Sequence, residues 1–213
     1  MPFMDEIKTI HLDILKEIGN IGAGNAATAL STLLNQKVDM SVPKVEVVSF
    51  NEMMDLVGGP ENVVVSIYFR IDGDAPGSMY FVMSLEQATS IIRRLIGDST
   101  FTIEQIENHP FAVSAIQEVG NILIGSYVSS LSDFTQLNLQ HTVPSLSIDM
   151  FGAIISYGLM EIGQVSDVAI VVDTVFFAES DSKNEELNGH FFLLPDPDSF
   201  TKIFSSLGIS DNG

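Results

Sequence analysis

Two stretches of the chain carry the same amphipathic pattern. Over residues near 11–36 the apolar positions recur at helical spacing. With Asp13 as the zero angle, Glu17 falls at about 40° and Asn20 at about −20°. Leu15, Ile18 and Gly22 fall at about 200°, 140° and 180°, on the opposite side. Residues near 111–132 repeat the arrangement. Ser114, Glu118 and Asn121 line one face, and Ile116, Val119 and Leu123 line the other. Both segments read as long helices with an apolar side for a core and a narrow polar stripe turned away from it.

Shorter apolar runs follow each helix and read as strands. They are Lys44–Phe50, Val63–Ile71 and Gly77–Met83, then Ser145–Ile155, Val168–Phe177 and Gly189–Leu194. A further helix closes each half, over Leu85–Ile96 and over Asp198–Leu207. The turn signals of Asp72-Gly73-Asp74-Ala75-Pro76-Gly77 mark a hairpin.

The halves are copies of each other. Asp13, Glu17, Asn20 and Pro43 recur as Ser114, Glu118, Asn121 and Pro144, each 101 positions on. Gly77 recurs as Gly189, 112 positions on, so the second half holds 11 extra residues (112 less 101) between Pro144 and Gly189. The polar stretch Glu179–Asn188 is the natural place for most of them and reads as an exposed loop. One half alone would leave an open sheet edge. The expected fold is therefore α/β of the α+β type: one pseudo-two-fold domain of two repeats, about 8–107 and 109–208. A single continuous, mainly antiparallel sheet would carry both long helices on one face, with Glu107–Phe111 as the crossover.

Gly19, Gly22, Gly24, Gly120 and Gly125 fall inside the two helices. Each costs about 1 kcal/mol against Ala in a helix interior, which predicts close approach of the helix backbone to a sheet or to another helix. They do not form a phosphate loop. No strand precedes them, and no Lys-Ser/Thr follows.

Composition narrows the chemistry. With 213 residues and 46% hydrophobic content, the chain can bury a sizeable core. Nine basic residues against 28 acidic ones give a net charge of −19. That charge disfavours nucleic acid and anionic membrane surfaces as partners. There is no cysteine, so disulfides, thiolate metal sites and thiol catalysis are excluded. The acidic N-terminal stretch does not read as a signal peptide, and no apolar run approaches a membrane span. The expectation is a soluble, cytoplasmic protein. His11, His109, His141 and His190 lack the spacing of a metal site, and no serine-hydrolase signature occurs.

What remains is the repeated Glu and Asn. Asn is a mediocre helix former, and both copies lie too far into their helices to cap them. An Asn amide both donates and accepts hydrogen bonds, and it can orient an attacking water. A Glu one turn away can pair with a lysine on a partner. Together they suit hydrolysis of a labile acyl phosphate on another protein, where positioning matters more than acid–base power. Pro43 and Pro144 read as shaping the start of a strand.

The doubled Asp/Ser-x-x-x-Glu-x-x-Asn pattern, with its following proline, resembles the CheC/CheX/FliY phosphatases of bacterial chemotaxis. LKEIGNIGAGNAATALSTLLNQKVDMSVPKV, GDAPG and EVGNILIGSYVSSLSD carry the resemblance, which covers essentially the whole chain. It implies a protein phosphatase acting on the phosphoaspartate of the response regulator CheY. Asn20 and Asn121 would position the water. Glu17 and Glu118 would pair with a regulator lysine, and Asp13 and Ser114 would support them. The resemblance also implies CheD as a partner and magnesium held by the regulator rather than by this chain. With two sites in one chain, a monomer suffices. The alternatives are a non-catalytic adaptor for CheD or phosphorylated CheY, and the phosphatase core of a FliY-like flagellar switch protein.

Overall fold

The computed structural model describes residues 9–162, 168–178, 185–196 and 198–207. Each half contributes the same series of elements. The first half runs α1 (Thr9–Leu34), β1 (Val38–Ser41), β2 (Val45–Ser49), α2 (Phe50–Leu56), β3 (Val63–Gly73), β4 (Gly77–Ser84) and α3 (Leu85–Ile96). A 3-10 turn over Ile103–Asn108 leads into the second half. This half runs α4 (Pro110–Thr135), β5 (Leu139–His141), β6 (Ser145–Met150), α5 (Phe151–Ile162), β7 (Val168–Ala178), β8 (Glu185–Pro195) and α6 (Ser199–Ser206).

Local chemistry sets many of these boundaries. Ser49 with Glu52, and Ser84 with Gln87, form reciprocal capping boxes at the starts of α2 and α3. The α4 helix begins with Pro110 in its first turn, where proline costs no hydrogen bond, and His109 Nδ1 accepts from Ala112 N at 3.1 Å. Asn35 and Gln136, one 101-step apart, follow the two long helices with φ of 50° and 57°. This left-handed residue stops each helix at the same place.

All eight strands join one antiparallel sheet, in the order β1-β7-β8-β4-β3-β5, with β2 also on β7 and β6 also on β3. The halves exchange their leading strands. Val45 of β2 lies opposite Val172 of β7, and Leu146 of β6 lies opposite Ile67 of β3. A step of 101 carries Val45 to Leu146, and a step of 105 carries Ile67 to Val172, so the two pairings are one pairing repeated. At the centre β4 meets β8, with Ser78 opposite Leu194 and Val82 opposite His190. A step of 112 exchanges these two pairs.

Alternation along the strands divides two cores. Val65, Ile67, Phe69, Met79, Phe81, Phe191 and Leu193 face the larger one, beneath α1, α3, α4 and α6. Val64, Tyr80, Val82, Val171 and Phe192 face a smaller one, covered by Met53 of α2 and by Phe151 and Ile155 of α5. Both triplet helices thus lie on the same face of the sheet, as expected. By length and composition α4 could cross a membrane, but Ile116, Leu123, Ile124 and Val128 are buried in the larger core.

Several expectations need correction. The predicted strand Ser145–Ile155 ends at Met150, and helix α5 takes over from Phe151. Likewise α2 begins at Phe50, assigned above to a strand. Phe151 is apolar because it plugs the smaller core from a helix, a role that strand and helix share in sequence. Glu185–Asn188, part of the predicted loop, belongs to β8, paired with Val175–Ala178; residues 179–184 lie outside the described residues. The extra residues divide between two places. Four (105 less 101) lie between β6 and β7, where α5 outlasts α2, and seven (112 less 105) lie between Ala178 and Gly189, the last of them within the start of β8. The short strands β1 and β5 escaped prediction.

Candidate active site

The triplets sit on the outer flanks of α1 and α4. A Cβ on Gly22 would lie 3.1 Å from Tyr127 Cα and 3.3 Å from Ser126 O, so the two helices touch along this line. Gly22 is on the side of α1 opposite Asp13, and Tyr127 is on the side of α4 opposite Ser114, at about 220°. The two stripes therefore point away from each other. Tyr127 also ties α4 to the sheet, its hydroxyl 3.1 Å from Thr174 Oγ1. Burial pushes that phenol well above its ordinary pKa. Below the second stripe, a Cβ on Gly120 would lie 2.7 Å from Ile67 Cδ1, so α4 rides directly on β3. The expected close approach thus holds for Gly22 and Gly120. It fails for Gly24, which faces open space.

In both copies the Glu and the leading residue are exposed, while the Asn is half-buried. Among the described residues, the side chains of Asp13, Glu17, Ser114, Glu118 and Asn121 make no hydrogen bond or ion pair. Each Glu thus offers an uncommitted carboxylate to a cationic partner. No cluster of three or more His, Asp or Glu suited to a metal occurs among the described residues.

The two copies differ at the amide. Asn20 Oδ1 accepts from Val42 N at 2.9 Å, and its Nδ2 donates to Lys16 O at 3.1 Å and Val42 O at 3.5 Å. In the first copy the amide thus reaches the residue just before Pro43, in the connection between β1 and β2. Val42 is 1% exposed. Its counterpart Val143 is 86% exposed, and Asn121 does not hold it. There Gln117 Nε2 approaches Pro144 O at 3.5 Å instead. Gln117 stands where the first copy has Lys16. Val42, Val143 and Gln117 were not singled out from the sequence. Only the fixed Asn-to-Pro interval pointed toward them.

The sequence pattern of the CheC-like family matches residues 10–47 and 111–148, two windows one 101-step apart. Over 210 residues the chain is 50% identical to the CheY-P phosphatase CheC of Bacillus subtilis, covering 99% of this chain and 100% of that protein. It is 32% identical to the flagellar motor switch phosphatase FliY of Bacillus subtilis over 150 residues, 70% of this chain but 38% of that one. The crystal structure of Thermotoga maritima FliY has the same fold, with a TM-score of 0.74 at 20% identity, covering 95% of this chain and 98% of that one. Two windows of family pattern on two structurally equivalent helices, together with a relative half identical from end to end, place this chain in the CheC-like family.

Proposed function

We propose that this chain is a protein phosphatase that hydrolyses the phosphoaspartate of the response regulator CheY. The observation that carries the reading is the doubled Glu and Asn on outward-facing helix stripes. It is supported by half identity, over both full lengths, to a CheY-P phosphatase. In this reading Asn121 and Asn20 enter the regulator's cleft and orient the water in line with the acyl phosphate. Positioning of this kind is a large part of the catalysis of phosphoryl transfer. Glu118 and Glu17 pair with a regulator lysine and fix the docking angle. Ser114 and Asp13 support the stripe, and Pro144 and Pro43 set the loop beside it. Magnesium belongs to the regulator. We further read the chain as one cytoplasmic, monomeric domain of two repeats, with CheD as a second partner on the family resemblance.

Turnover tests the reading. A few per cent of this protein, added to phosphorylated CheY with magnesium, is expected to clear the whole pool faster than it decays alone. Protection of the regulator in proportion to the amount of chain added, without turnover, would make it an adaptor instead.

A further inference from the structure

Among the described residues, nine large apolar side chains are exposed. Two pairs of them repeat at the 101-step: Ile10 with Phe111, and Leu33 with Phe134. A single exposed apolar residue needs no explanation. A pair kept exposed in both copies does.

Leu33 and Phe134 explain themselves. They lie in the last turns of α1 and α4, at about 200° from Asp13 and Ser114, on the side away from the polar stripe. Ile10 and Phe111 differ. They stand one turn before the leading polar position, at about 60°, on the same flank as Glu and Asn. Ile10 is 50% exposed and Phe111 63%. Each helix therefore presents, in order, a large apolar side chain, a small polar one, an uncommitted Glu and the Asn. From Phe111 to Asn121 the axis rises about 15 Å, half the diameter of a small domain. A regulator seated on the Asn spans the whole row.

We propose that Phe111 and Ile10 are docking anchors for the phosphorylated receiver domain, each filling an apolar hollow beside its phosphorylation cleft. This rests on the phosphatase reading above. The row has the make-up of a binding hot spot, an aromatic or aliphatic anchor next to charged groups that set orientation. The anchors supply ground-state affinity shared with the transition state, so they govern KM, whereas the Asn governs kcat. The larger aromatic at Phe111 gives the second site the tighter grip.

The test is steady-state dephosphorylation of CheY by the full chain carrying Ile10→Ser and Phe111→Ser together. Binding of CheY held in its phosphorylated form by beryllium fluoride is measured in parallel. The expected result is a KM and a dissociation constant raised tenfold or more, with kcat and thermal midpoint unchanged. Phe111→Leu in the Ile10→Ser background should restore most of the affinity. An unchanged KM and dissociation constant in the double Ser variant would overturn the anchor. If wild type binds the mimic but hydrolyses nothing, the phosphatase reading falls. The anchor is then decided by the binding arm: a tenfold loss sustains it, and no loss overturns it.

Discussion

The side-chain amide of Asn20 clasps the backbone of Val42, accepting its N–H at 2.9 Å, while Asn121 and Val143 make no such contact. One residue of the repeated motif is thus a brace in the first copy and a free amide in the second. A group already bound to its own chain must release that bond before it can orient a water. The second copy should therefore carry most of the turnover.

Replacing the two asparagines separates these roles. Asn121→Ala should remove more than half of CheY-P hydrolysis and leave thermal stability unchanged. Asn20→Ala should remove less activity but destabilise the fold by about 1–3 kcal/mol, because a buried Val42 N–H loses its partner. The double variant should fall by about two orders of magnitude in kcat, the usual cost of losing a positioned hydrogen-bonding group. Phosphate release and thermal melts on the same samples check all three.

Glu17 and Glu118 should act through association. Changing both to Gln is expected to raise KM about tenfold and to flatten its dependence on ionic strength, since exposed charges steer encounter and are screened by salt. Measuring KM at low and high salt tests this. An unchanged salt slope would remove the proposed pairing with a regulator lysine.

Because the two stripes face away from each other, two regulators should fit at once. Titration calorimetry with beryllium fluoride-activated CheY should give two sites per chain. Glu118→Arg, which opposes a lysine at the second site, should reduce that number to one.

Two glycines two residues apart should respond with opposite signs. Gly22→Ala forces a methyl against the Tyr127 backbone and should cost about 1–3 kcal/mol. Gly24→Ala meets nothing and should gain up to about 1 kcal/mol from helix propensity. Denaturant unfolding of both variants is a direct check, and equal effects would contradict the helix contact described.

Much of this site was legible in the sequence. The triplets could be placed on outward stripes because a helix maps spacing onto direction, and the duplication marked which polar positions recur. Paired placement of α1 and α4 on one sheet face followed from the same symmetry. The inequality of the sites was not legible, because it depends on a long-range contact between Asn20 and a loop 22 residues away. Nor did the pattern reveal α2 and α5. Phe50 and Phe151 continue an apolar run whether the backbone is extended or helical. Only the capping box at Ser49 and Glu52 marks the change in the first half. The strands β1 and β5 are too short for an alternation to declare itself.

The exchanged strands have a consequence for ancestry and for protein engineering. A half-chain ending near residue 107 would expose the whole length of β3 where β6 and β5 now lie, and its own β1 and β2 would have no place to pair. Two such halves could satisfy each other by trading those strands about the β4–β8 axis. An ancestor of half this length is then most simply an intertwined homodimer, with fusion turning a concentration-dependent assembly into a folding event within one chain. The same knot of pairings predicts that the two halves, made as separate polypeptides, will find each other and reassemble.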